Sequence, residues 1–177
     1  MGKGMRTLQR HLMPGILSTV YFAVRYGSLI SPAAKVQLNR NIIFGRSTVV
    51  KPFAVIQTSG KGKIRLGKYC SVNNFVQIAT GEADILIGDF VLIGPSVTIL
   101  GSSINYRNKD TYILNQGYSH EKIIIEDDVL IASGSIIFMG CNIGKGAIIG
   151  AGSVVTKNVQ PYMVVAGIPA EKIGERE

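Results

Sequence analysis

The chain has 177 residues, 46% of them hydrophobic and 7% aromatic, with 21 glycines, no tryptophan and two cysteines. That length suits one domain with its own core, and two cysteines cannot staple a secreted scaffold, so a reduced, intracellular chain is expected. Residues 1–81 hold 12 basic residues and no carboxylate, whereas residues 82–177, opening with Glu82, hold 7 basic and 11 acidic ones; this excludes a disordered acidic chain and points the N-terminal half toward an anionic contact.

Residues 1–34 form a basic and apolar segment that is expected to be helical. Met1–Arg10 is basic, and Leu12–Ile30 is mostly apolar but holds Pro14, Arg25 and several small polar residues. That is too interrupted for a membrane span. No Ala-x-Ala-like cleavage site marks a signal peptide. A helix across the open end of the following repeat domain is the leading expectation, because a solenoid end needs a cap. The alternative is a helix on the inner face of the membrane, with Lys3, Arg6, Arg10 and Arg25 meeting anionic head groups. The expected location is accordingly cytoplasmic, peripheral at the membrane in the second case.

A repeat organises residues 35–172. Leu38, Phe44, Val50 and Ile56 fall six residues apart. The step resumes at Leu66, Val72 and Ile78, then at Ile87, Ile93 and Ile99, and runs unbroken from Ile125 through Ile131, Ile137, Ile143 and Ile149 to Val155. Four residues after these sixteen positions, fourteen are small residues, valine or threonine, among them Thr48, Ala54, Cys70, Val97, Ser135, Cys141 and Ser153. Glycine follows the aliphatic at Gly45, Gly67, Gly88, Gly94, Gly144 and Gly150.

Neither a helix nor strand alternation produces a period of six with two fixed columns. A prism of short parallel strands does: one hexad per face, three per coil, and about five coils stacked on their neighbours. Small residues then fill the tight interior, and glycine is expected to permit the sharp turns. A β-sandwich would place its turns at irregular intervals instead. Cys70 and Cys141 fall in the interior column and read as packing residues rather than nucleophiles. The fold class expected is all-β, a parallel β-helix with a helical N-terminal segment, a long protruding loop at about 101–121 and a tail at 173–177.

The run Ile85–Ile168, above all ILIGDFVLIGPSVTI and IEDDVLIASGSIIFMGCNIGKGAIIGAGSVVTKNVQPYMVVAGIPA, resembles the hexapeptide-repeat acyltransferases. It is most similar to their polysaccharide and sugar O-acetyltransferase branch, whose chains end in a VVAGNPA-like segment; Val164–Ala170 repeats that ending with Ile168 in place of Asn. The similarity spans about residues 36–172. It implies a left-handed β-helix, acetyl-CoA as acyl donor, and a homotrimer with the cofactor groove between neighbouring chains. The implied activity is O-acetylation of a sugar hydroxyl on a surface polysaccharide or its precursor.

Acyl transfer to a hydroxyl needs a base, donors for the oxyanion and a groove for the pantetheine arm. The resemblance assigns the donors to backbone N–H groups at Ser133 and Ala151, which lie 18 residues apart, and the nucleotide end of the cofactor to Thr156 and Lys157. It places the base five residues beyond Ile99, where Ser102-Ser103-Ile104-Asn105-Tyr106 stands for a His-Asn-His-Asn-Phe-like stretch, so the residue is Ile104, which accepts no proton.

Only His11 and His120 exist. His120 ends the long loop and is the candidate substitute base, oriented by Glu121 or Asp110; the alternative is a solvated loop histidine. Asn74, Glu82 and Asn105 are the candidate acceptor-binding residues. The period is broken by insertions of 4 residues between Ile56 and Leu66, 3 between Ile78 and Ile87, and 20 between Ile99 and Ile125. The last holds Tyr106, Tyr112 and Tyr118, and in the resembling enzymes such a loop shapes the acceptor pocket against a neighbouring subunit.

No Walker loop, zinc spacing or dinucleotide fingerprint is present. Two histidines are too few for the three-His metal site of a γ-class carbonic anhydrase, so no metal is expected. Aromatic residues are not interleaved with the basic ones, which argues against nucleic acid. The reading that competes with catalysis is a degenerate β-helix that binds glycan, acyl-CoA or membrane.

Overall fold

The structure is a computed structural model that describes residues 15–177. Met1–Arg10 and His11 lie outside the described residues. Short strands line three faces, each pairing in parallel with the strand one coil away. The first face runs from Leu29–Ile30 through Val49–Val50, Ser71–Val72, Leu92–Ile93, Leu130–Ile131 and Ile148–Ile149 to Met163–Gly167. The second runs from Lys35–Val36 to Val154–Val155, and the third from Ile42–Phe44 to Asn142–Ile143. The result is a left-handed parallel β-helix of about six coils.

Pairing is in register, so equivalent residues stack. Val50 lies between Ile30 and Val72, and Ile131 between Ile93 and Ile149. Fifteen of the sixteen hexad aliphatics are buried, each contributing up to about 1.5–3 kcal/mol. Leu38 is the exception and is exposed. Val36 takes the inward place, two residues earlier, because the connection from Val36 to Phe44 is also lengthened. Ile30 then precedes Val36 by one hexad, so the solenoid begins at Leu29–Ile30 rather than at residue 35.

The turn glycines differ from expectation. Where a corner has a left-handed residue, it stands three places after the inward aliphatic: Ser47, Phe53, Tyr69, Phe75, Phe90 and Ser96, then Asp128, Gly134, Gly140, Gly146 and Gly152, and last Tyr162. The glycines directly after the aliphatic serve close approach instead. A Cβ at Gly67 would overlap Gly88 O and Asp89 Oδ1, and one at Gly45 would overlap the Gly67 carbonyl.

Polar groups in the interior column are satisfied. Ser135 Oγ has two acceptors for its one proton, Ala132 O at 2.8 Å and Gly150 O at 2.9 Å, and Thr48 Oγ1 donates to Gly67 O at 2.7 Å. Cys70 and Cys141 are buried, and burial pushes both thiols up, which suits packing residues.

Helix α1, Gly15–Tyr26, lies over the first coil. Phe22 is fully buried with its ring edge-on to Phe44 at 5.0 Å, and Thr19 Oγ1 donates to Ile30 O at 2.8 Å. Gly27, at φ +65°, ends the helix with its N–H on Ala23 O. At the other end Ala170–Glu175 folds back antiparallel on Met163–Gly167, so residues 173–175 belong to a strand. Arg176 pairs with Asp128 at 2.8 Å.

Candidate active site

All the lengthened connections leave the second face and enter the third: Val36 to Phe44, Ile56 to Leu66, Ile78 to Ile87 and Ile99 to Ile125. They stack into one ridge held by backbone bonds. Gly62 N–H donates to Gly81 O at 2.8 Å, Ile123 N–H to Asp84 O at 3.0 Å, and Lys63 N–H to Asp84 Oδ1 at 2.8 Å.

The long loop opens as a hairpin of Ser102–Ile104 against Tyr118–His120. Ser102 faces His120 and Ile104 faces Tyr118, so these four side chains share one face of the hairpin. His120 therefore sits at the base of the hairpin, one cross-strand pair away from Ile104. Its ring packs on Gly81, where any Cβ would overlap the imidazole. Glu82 N–H approaches Nδ1 at 3.5 Å, which assigns the proton of the neutral ring to Nε2. Glu121 lies against Gly140, one coil beyond. Asn105 is committed within the loop: its Oδ1 accepts from Ser119 Oγ at 2.6 Å and its Nδ2 donates to Gln116 O at 3.1 Å. The loop tip is polar from Arg107 to Thr111 and also presents Tyr112 and Leu114, both more than four-fifths exposed.

The corner between the first and second faces is built differently. Asn74, Pro95, Ser133 and Ala151 stack there on successive coils. Their carbonyls accept from the coil above: Ser96 N–H to Asn74 O, Gly134 N–H to Pro95 O and Gly152 N–H to Ser133 O, each at 2.9 Å. The N–H groups of Ser133 and Ala151 have no acceptor among the described residues, and both residues are exposed. Below them, Phe53 and Phe75 stack at 5.3 Å.

No family model matches the chain. It is 53% identical over 55 residues to 2,3,4,5-tetrahydropyridine-2,6-dicarboxylate N-acetyltransferase of Ligilactobacillus salivarius, covering 31% of this chain and 24% of that protein. It is 32% identical over 96 residues to galactoside O-acetyltransferase of Lactococcus lactis, covering 54% and 45%. The chain thus spans from about a quarter to under half the length of these curated relatives. Among solved structures, AntD, an N-acyltransferase from Bacillus cereus, superposes with a TM-score of 0.77 at 22% identity, covering 90% of this chain and 89% of that one. The fold is that of the hexapeptide-repeat acyltransferases.

On that frame the candidate residues separate into two groups. Glu82, Asn105 and His120 belong to the loop corner, with Thr156 and Lys157 two coils beyond Ile99 at the same corner. Asn74, Ser133 and Ala151 belong to the other corner. Within one chain the second face separates them, a span of roughly 15–20 Å for about six residues of strand and turn. Lys157 is exposed and loosely paired with Glu171 at 3.8 Å. Gly81, the seat of His120, escaped the sequence reading. Its signal was available: the insertions recur every third hexad and so had to stack at one corner.

Proposed function

We propose that the protein is an acyl-CoA-dependent acyltransferase acting on a sugar, with acetyl-CoA as donor. The finer reading is O-acetylation of a hydroxyl on a surface polysaccharide or its precursor. The observation that carries it is the unpaired N–H column of Ser133 and Ala151, one coil apart at an exposed corner. Such donors hold a thioester carbonyl and its developing oxyanion. Lys157 supplies an exposed ammonium for a phosphate.

His120 and Glu82 supply the acceptor side, and because they sit at the other corner, the site is completed by a second copy, in a C3 homotrimer. His120 Nδ1, the ring nitrogen without a proton, takes the hydroxyl proton once the imidazole has turned away from Glu82 N–H. The oxygen then bonds to the acyl carbon, the C–S bond breaks, and the imidazolium returns the proton to the thiolate.

A second reading, N-acylation of an amino sugar, is favoured by Ile104. A neutral amine attacks through its own lone pair and needs no base beforehand. The AntD complex contains dTDP-4-amino-4,6-dideoxyglucose together with coenzyme A.

Thiol release from acetyl-CoA, measured across a panel of sugars and amino sugars, tests both. Faster release with hydroxyl acceptors supports O-acetylation, and faster release with amino sugars supports the second reading. Binding of acetyl-CoA without turnover on any acceptor, or a monomer in sedimentation, overturns the proposal.

A further inference from the structure

A surface helix ordinarily buries one apolar stripe and turns charged residues to water. Helix α1 buries Ser18 and Phe22 against the first coil, with Tyr26 packed beside them. Its opposite arc is apolar as well. Ile16, Leu17, Val20, Tyr21 and Val24 are all exposed, Val24 by 84%, and Arg25 is the one charged residue of the twelve. Leu29, just beyond the helix, is also exposed. A contiguous apolar surface of this kind marks a contact with something outside the chain.

Charge decides what that is. Residues 15–81 contain nine basic residues and no carboxylate. Arg46 lies against Gly27 at the end of the helix, and Lys51 lines the shallow groove between the helix and the first coil. None of the ion pairs among the described residues involves these cations. Lys3, Arg6 and Arg10 add to them in sequence. A second copy packed end to end would bring like charges together. An anionic lipid surface meets both the apolar arc and the charge.

We propose that α1 is an interfacial anchor. It lies in the plane of an anionic membrane, with Ile16, Val20 and Val24 at the acyl boundary and the basic coils against the head groups. Twelve residues make about 18 Å of helix, which lies along a bilayer surface rather than crossing it, and no described helix is long and apolar enough to cross a membrane. This inference is independent of the proposed chemistry.

The test is co-sedimentation of the full chain with vesicles of phosphatidylcholine alone and with phosphatidylglycerol admixed, across a salt series. Binding to the anionic vesicles, at least about tenfold stronger than to the neutral ones and weakening with salt, is expected. The doubly substituted Val20→Glu/Val24→Glu chain should lose it while melting as before, since both side chains are already exposed. Arg46→Glu/Lys51→Glu should weaken it by about tenfold or more. The proposal is overturned by equal binding of the Val20→Glu/Val24→Glu chain and wild type, or by no binding to anionic vesicles. It is also overturned if that variant lowers the oligomeric state without lipid, which would give the stripe to a second copy.

Discussion

The N-terminal and C-terminal coils make the same corner with different residues. From Gly134 to Gly152 the left-handed position is glycine at every corner that has one. Before residue 100 it is Ser47, Phe53, Tyr69, Phe75, Phe90 or Ser96, at φ between 57° and 64°. A side chain there costs about 1–2 kcal/mol. Phe53 with Phe75, and Tyr69 with Phe90, recover part of that by stacking at 5.3 and 5.1 Å, worth about 0.5–1.5 kcal/mol a pair. The early coils thus hold their corners with rings that cover the backbone. At Gly134 and Gly152 no side chain covers the corner, and there the Ser133 and Ala151 N–H groups stand uncovered, whereas Gly146 lies under the Tyr162 ring.

The largest expected effect tests whether the loop corner works with that bare corner. His120→Ala should lower turnover by about 10²- to 10⁴-fold with the melting curve unchanged. His120→Gln keeps a donor but no titrating base, so if it retains most of the rate, His120 donates through Nε2 and the base reading fails. Next comes the contrast between the two glycine columns. Gly67→Ala drives a methyl into the backbone of the neighbouring coil and should cost about 3 kcal/mol in urea unfolding, near the upper end for overpacking. Smaller again is the stack itself. Phe75→Ala keeps the strained turn and loses the ring contact, an expected loss of about 1–2 kcal/mol, whereas Phe75→Gly also relieves the strain and should cost less. If Phe75→Ala and Phe75→Gly melt alike, the rings are not compensating for the backbone.

The period of six was legible because an inward aliphatic is required at every hexad and nothing else fits a narrow triangular core. It failed at Leu38, an apolar residue six places before Phe44, because a two-residue bulge after Val36 shifts the frame without breaking the pattern. The left-handed corner was illegible for a different reason. Local preference points to glycine, and at Phe53, Tyr69, Phe75 and Phe90 stacking between coils overrides it. At the candidate site, the 18-residue spacing of Ser133 and Ala151 could be read directly, since it is one coil. The approach of His120 to Gly81 and Glu82 could not, because it depends on where a 20-residue insertion returns.

The smallest effect is the most specific to the bare corner. Gly152 has φ +67°, and a methyl added there would meet nothing within 4 Å, so Gly152→Ala carries backbone strain alone, about 1 kcal/mol. The same methyl would stand directly after Ala151, whose N–H is the proposed thioester donor. The expected outcome is a slight loss of stability with the acetyl-CoA KM raised several-fold and kcat nearly kept, the split for a group that obstructs binding without touching the reacting atoms. Gly117 is the control: it too has a positive φ, +74°, and open space around it, but it lies in the protruding loop. Gly117→Ala should carry the same strain and leave the KM for acetyl-CoA alone. Equal KM effects from the two substitutions would mean that the bare corner owes its openness to packing and not to a bound thioester.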